Sequence, residues 1–290
     1  MHALRRIRFR SWSNLVYSTD MMHKQSPSAF SLVELSIVLV ILGLLTGGIL
    51  GGQALIRAAE LRSISADFSR HQTAVMSFRD KYFAMPGDMS NATSFWGAQD
   101  SGDGLGSDCL ELTTPASGTL TCNGNGDGRI GAVGGACTVQ AETYRAWQHL
   151  QNAGLVEGKL SGVPVSVVGG QCRQAAVGVN MMPSKIANAA FQMIYRTNSA
   201  VHLNDQDMNR ISFGTIFVTG PDRYEAEGPA IRPEEAWNID LKLDDGLPQI
   251  GNMRAPIASW FGTDCSNASG TAYNLSNAAT HCFLSMRLGV

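Results

Sequence analysis

The stretch that most limits how this chain can fold is SPSAFSLVELSIVLVILGLLTGGIL, residues 26–50. From Leu35 to Leu50 only Ser36, Gly43, Thr46, Gly47 and Gly48 interrupt the aliphatic side chains, and no charge occurs. As a helix, Phe30–Leu50 would run about 30 Å, the depth of a bilayer's hydrocarbon core. At its head stands Glu34, and a carboxylate at bilayer depth costs about 2.5–3.5 kcal/mol. That residue therefore needs a partner or a purpose. Arg5, Arg6, Arg8, Arg10 and Lys24 all precede the run, the asymmetry expected where the N-terminal side is cytoplasmic. Residues 1–29 read as a cytoplasmic leader, and Met21 or Met22 offers a later start with the leader MMHKQSPSA. Gly43, Gly47 and Gly51, with Gly48 and Gly52, give overlapping GxxxG spacings. Such spacing lets helix backbones approach closely, although the same glycines loosen a helix.

No stop signal separates the apolar run from the residues after it. Across residues 54–83, Leu61, Ile64, Phe68, Val75, Phe78 and Tyr82 fall on one helical stripe, with Arg62, Asp67, Arg70 and Arg79 off it. The pattern predicts one long helix, apolar all round in its first half (30–53) and on one face in its second (54–85). Pro86-Gly87 supplies the stop. Residues 86–290 are enough chain for one globular core. A second helix is predicted over Val139–Ala153, with Tyr144, Trp147 and Leu150 inward and Gly154 ending it. Strands are predicted at Val163–Val168, Ala175–Asn180, Phe191–Arg196, Ile211–Thr219 and His281–Arg287, where β-branched and aromatic residues gather. The expected fold class is α+β, with the long helix packed on one face of a mainly antiparallel sheet.

The formal net charge of −2 gives no electrostatic case for nucleic-acid binding. Six cysteines occur, at Cys109, Cys122, Cys137, Cys172, Cys265 and Cys282, all on one side of the apolar run and without a CxxC pair. That usage suits an oxidising compartment with up to three disulfides. Proximity favours Cys109–Cys122 and Cys265–Cys282, leaving Cys137–Cys172; free thiols are the alternative.

The segment SAFSLVELSIVLVILGLL resembles the prepilin-type cleavage and methylation segment of type IV pilins and type II secretion pseudopilins. The family pattern is a short basic leader, a small residue before the cut, a hydrophobic residue after it, and a glutamate four positions on. Here these are Lys24, Ala29, Phe30 and Glu34, with Ala29 standing where the family usually has glycine. Two later stretches, KYFAMPGDM (81–89) and IDLKLDDGLPQIGNMRA (239–255), also resemble larger pilin-like proteins. The resemblance implies a pilin-like fold and a single-pass protein of the bacterial inner membrane, its globular domain in the periplasm. A prepilin peptidase would cut between Ala29 and Phe30, and Phe30 would then be N-methylated. The subunit would join other pilin or pseudopilin subunits through an inner-membrane assembly platform, with Glu34 against the cationic Phe30 terminus of a neighbour. A buried carboxylate is tolerable when so paired. The simpler account places Glu34 in a first helical turn, where a negative charge suits the macrodipole.

Other groupings are less specific. Asn123, Asn125, Asp127 and Arg129, in NGNGDGRI, resemble the start of an EF-hand-like loop, so calcium is the one candidate ion and no cofactor is otherwise required. Asn123 replaces the usual Asp, and Gly134 stands where a bidentate Glu belongs; Glu142, Asp103 or Asp108 would have to complete the site. Asp244-Asp245 reads as an acidic turn closed by Gly246. His71, His149, His202 and His281 show no metal-ligand spacing, and no nucleophile or phosphate-binding motif occurs, so no catalytic residue is assigned. A different class of protein also fits the N-terminus: a signal peptide cut after Gly52-Gln53-Ala54, releasing a soluble binding domain from Leu55. Its apolar core is longer than the usual 7–15 residues.

Overall fold

The computed structural model describes residues 30–99, 115, 117–131, 142–165, 175–196, 208–219, 222–223, 225–257 and 264–289. In chain order the elements are α1 (Leu32–Tyr82), α2 (Ala92–Trp96), α3 (Glu142–Asn152), β1 (Met182–Pro183), β2 (Ala189–Arg196), β3 (Met208–Thr215), β4 (Val218–Thr219), β5 (Asp222–Arg223), α4 (Pro233–Leu243), β6 (Met253–Arg254) and β7 (Leu284–Arg287). The chain divides into two compact units between Gly52 and Gln53.

Helix α1 is unbroken over 51 residues. In the first unit every large aliphatic side chain from Leu32 to Leu50 is at least 50% exposed. This helix is long and apolar enough to cross a membrane. Its polar side chains turn back on their own backbone: Ser36 Oγ donates to the Val33 carbonyl and Thr46 Oγ1 to the Leu42 carbonyl, both at 2.8 Å. Such self-satisfaction is what a segment surrounded by hydrocarbon requires.

In the second unit α1 is one-faced. Ile64, Phe68, Val75 and Phe78 are buried, Leu61 and Tyr82 half-buried, and Arg62, Arg70 and Arg79 exposed, as the stripe predicts. The helix ends at Tyr82, four residues before Pro86. There Phe83 adopts φ 54° and donates its N–H to the Arg79 carbonyl at 2.8 Å.

The sheet runs β1-β2-β3-β7-β6, antiparallel at every pairing. The register places Phe191 opposite Phe213, Met193 opposite Ile211, and Met286 opposite both Ile211 and Met253. Period-two alternation puts all of these on one face, and they share a hydrophobic core with the α1 stripe. Phe68 meets Phe191 edge-on at 5.2 Å and Phe213 at 6.4 Å. The opposite face is buried and mixed: Ala190 clusters with Tyr144, Met181 and Ala226, while Ser212 donates to Glu227 at 3.0 Å, Gln192 accepts from the Ala226 N–H at 2.8 Å, and Arg196 pairs with Glu225 and Glu227.

Several expectations need correction. The Ile211–Thr219 stretch is split: β3 ends at Thr215 and Val218–Thr219 pairs with β5 in a separate ribbon. Ala175–Asn180 is a turn around Gly178, whose φ is 74°. Val163–Val165 is not a strand, and residues 166–168 lie outside the described residues. Strand β7 begins at Leu284 rather than His281 because Cys282 instead bridges to Ile231. Helix α3 begins its described length at Glu142 and buries Tyr144, Trp147 and Leu150 as expected.

Helix α4 was not predicted, although Arg-Pro-Glu-Glu carries a start signal. Pro233 sits at the first turn, and Glu235 accepts the Arg232 N–H at 2.9 Å. Glu235 also holds Arg57, the first charge on α1 after Glu34, by two bonds of 2.7 Å. Cys265 and Cys282 form a disulfide with Cα atoms 5.0 Å apart. Cys122 is disulfide-bonded as well. Cys109, Cys137 and Cys172 lie outside the described residues.

Phe68→Ala removes the ring that joins α1 to both central strands, and it should destabilise the globular unit by about 3–5 kcal/mol. Urea unfolding of the full chain in detergent, followed by tryptophan fluorescence, measures this. A loss below 1 kcal/mol would mean that α1 docks through other residues.

Candidate functional site

Two sets of residues carry the functional expectations. The first is at the start of α1. Ala29 lies outside the described residues, and Phe30 is 89% exposed ahead of the helix. Ser31 and Glu34 form a reciprocal cap. The Ser31 N–H donates to Glu34 Oε2 at 2.9 Å, and Ser31 Oγ accepts the Val33 N–H at 3.2 Å. This is the S-x-x-E pattern of a capping box, with Ser31 Oγ on the N2 rather than the N3 amide, legible in the sequence as Ser31-Leu-Val-Glu34. Within a single chain Glu34 thus has a hydrogen-bonding role before any neighbour is present. The cap contributes about 0.5–2 kcal/mol to the first turn.

The second set is the Asn/Gly loop, and the structure places it under KYFAMPGDM. Gly87 has φ 87°, and a Cβ there would lie 2.3 Å from the Glu142 carbonyl oxygen; a Cβ on Gly124 would lie 2.3–2.4 Å from the Asp88 backbone. Only glycine allows these approaches. They bring Asp88 and Glu142, both buried, onto the amides of the loop. Asp88 accepts the N–H groups of Asp127 at 3.0 Å and Gly128 at 2.9 Å. Glu142 accepts those of Asn125 at 3.0 Å and Gly131 at 2.7 Å. Asn209 of β3 adds a bond from the Ile130 N–H and one to the Gly128 carbonyl, both at 2.8 Å.

The side-chain oxygens of the calcium expectation accept backbone amides too, and one of these, Asp127 N–H, is shared with Asp88. Asn123 Oδ1 accepts from Thr93 N at 3.0 Å, Asn125 Oδ1 from Asp127 N at 3.0 Å, and Asp127 Oδ1 from Arg129 N at 2.9 Å. The Arg129 guanidinium lies 4.7 Å above the Tyr195 ring. Any cation in this loop would compete with amide donors for these oxygens. Asp103, Asp108 and Gly134 lie outside the described residues.

Asp240, Asp244 and Asp245 place carboxylate oxygens within 4.8 Å of one another. They shape the chain leaving α4. Asp240 accepts the Tyr273 hydroxyl at 2.7 Å, Asp244 accepts the Met253 N–H at 2.9 Å, and Asp245 the Leu247 N–H at 2.8 Å. Gly246, at φ 75°, makes the turn, so the stretch 239–255 joins α4 to β6.

Burial sets the charge states. It pushes Glu142 up to about 7 and, likewise, Asp240 up to about 7. It holds His71 and His149 down to about 3, with Arg70 and Arg145 respectively adding to the effect. His149 Nδ1 accepts the Gly87 N–H at 3.0 Å, which fixes the neutral tautomer protonated on Nε2. The histidines bind protons in the unfolded chain below pH 6.5 that the folded chain refuses down to about pH 3, so they favour folding as pH rises. The two carboxyls hold protons in the folded chain from about pH 4.5 to 7 that the unfolded chain releases, so they disfavour folding as pH rises. The effects oppose one another between about pH 4.5 and 6.5. Below about pH 4 the opposition of these two carboxyls has gone, and the histidine effect is joined by that of Glu235, whose carboxyl, against the cost of its burial, is held down by the hydrogen bonds from Arg57. The chemical-denaturation midpoint should therefore change little between pH 6.5 and 4.5 and fall steeply towards pH 3; a steady fall from pH 6.5 would contradict these assignments.

Compared with protein-family models, with curated proteins and with solved structures, the chain shows no match.

Proposed function

We propose that this chain is a prepilin-like structural subunit, a minor pilin or pseudopilin. It is cut between Ala29 and Phe30, held in the bacterial inner membrane by α1, and assembled into a type IV pilus or type II secretion pseudopilus. The observation that carries the reading is the N-terminal segment itself. A basic leader, a small residue, Phe30 and Glu34 stand in family order at the head of a helix with 22 uncharged residues between Glu34 and Arg57. The fold is compatible with this role, since the helix has an unburied apolar first half and an amphipathic second half joined to an antiparallel sheet. The helix also runs without a break through Gly52-Gln53-Ala54, the site at which a secretory signal would be cut.

Glu34 then has two jobs in sequence. In the unassembled subunit its carboxylate caps its own helix. In the filament it pairs with the cationic Phe30 terminus of a neighbour, where a lone buried carboxylate would be costly and a matched ion pair is tolerated. Partners are the prepilin peptidase, sister subunits and the assembly platform; no enzymatic step is assigned to the chain.

The mass and N-terminal sequence of the mature protein from bacterial membranes test the pathway. N-methylated Phe30 is expected, and a chain beginning at Leu55 would overturn it. Substitution separates the two jobs of Glu34. Glu34→Gln keeps the capping hydrogen bond but removes the charge, so it should enter the membrane normally and fail to assemble; Glu34→Ala, which loses both, should enter the membrane and fail to assemble as well. Filament incorporation of Glu34→Gln at the wild-type level would reduce Glu34 to a helix cap.

A further inference from the structure

Phe83 follows the last residue of α1 at φ 54°, a left-handed conformation that favours glycine and is an outlier for a bulky side chain. Its ring is 91% exposed, so no burial offsets that strain. The fold itself gains nothing from a phenylalanine here. The residue lines a cavity of about 370 Å³ together with Gly126 and Gly128 of the Asn/Gly loop. Asp88 and Asn209 line it as well; both are buried and are held in place by the loop amides they accept. Arg79 and Ser90 complete the polar lining and are exposed. Among the described residues neither of these two side chains is engaged in a hydrogen bond or ion pair. A Cβ on Gly128 would meet nothing within 4 Å, so the loop leaves open space at that point.

We propose that this cavity binds one neutral sugar ring of a glycan, stacked on Phe83 and hydrogen-bonded by Arg79 and Ser90. A pyranose has an apolar C–H face bordered by hydroxyls, and the lining offers a counterpart to each. The exposed ring of Phe83 presents an aromatic face with negative quadrupole, which suits polarised C–H groups. The guanidinium of Arg79 is a fork of donors that can span two adjacent hydroxyl oxygens, and Ser90 Oγ can donate or accept. Charge works against the other ligand classes. Arg79 and Asp88 set one cation and one carboxylate at the same cavity, so neither an anion nor a cation is favoured. The apolar side chains on the lining are only Phe83, Ala84 and Met85, too few for an acyl chain. A few placed polar groups beside an apolar surface, in a cavity of this size, have the general form of a small-molecule site. The inference goes beyond filament assembly and uses neither Phe30 nor Glu34.

The test is calorimetric titration of the full chain, in a detergent without a sugar head group, with the methyl glycosides of glucose, galactose, mannose and N-acetylglucosamine. Phenol serves as the aromatic control, and Phe83→Gly and Arg79→Gln are the variants. At least one glycoside is expected to bind one per chain, with a dissociation constant on the order of 1 mM or tighter. Either variant should weaken that binding about tenfold or more. Phe83→Gly should do so with an unchanged or higher denaturation midpoint, because glycine relieves the left-handed backbone. Binding by none of the four glycosides, with or without uptake of phenol, would overturn the site. So would wild-type affinity in either variant, or a lower midpoint for Phe83→Gly, which would make the ring part of the fold.

Discussion

The contact of Phe68 with Phe191 and Phe213 is the interaction on which the globular unit depends. It joins the amphipathic half of α1 to the two central eight-residue strands, and the rest of the core extends from it along the register. Because those strands alternate with period two, fixing the aromatic row on the helix side sends Gln192, Arg210, Ser212 and Ser285 to the other face. The sheet therefore has one apolar face and one buried face on which these polar side chains stand beside Ala190 and Ile194. That face is held together by hydrogen bonds such as those to Glu227 and Ser285.

How much of the fold could be read from the sequence depends on how local each signal is. Helix α1 was legible because its stripe is repeated over several turns, and α3 because Tyr144, Trp147 and Leu150 share its inner face. Strands β2 and β3 were legible in large part because they are long and rich in β-branched and aromatic residues. The two-residue strands β1 and β6 carry no such pattern, since their pairing is decided by neighbours distant in sequence. The start of β7 is likewise set by Cys282 meeting Ile231. Helix α4 was missed although Pro233 and Glu235 marked its start.

The candidate sites divide along the same line. The cap made by Ser31 and Glu34 lies within four residues and needs only the motif. The clamp of Asp88 and Glu142 on the Asn/Gly loop joins three segments, and its necessity appears only when Gly87 and Gly124 are seen against the backbone they touch. KYFAMPGDM then has a physical account: it ends α1, brings Gly87 against α3, and delivers a carboxylate to the loop. The burial of His71 between Trp147 and Phe191 was invisible in sequence, where the residue is one more polar position on a helix.

Strand β7 lies between β3 and β6, although it is the last strand in the chain. A nascent polypeptide emerging N-terminus first thus completes α1, β2 and β3 long before the strand that must seat beside β3 has been synthesised. During that interval β3 has an open edge, and β6 has no neighbour to receive it. Closure of the sheet becomes a late, long-range event, of the kind that folds slowly because distant segments must meet first. The timing of maturation is thereby set by residues 284–287, far from the helix that dominates the sequence.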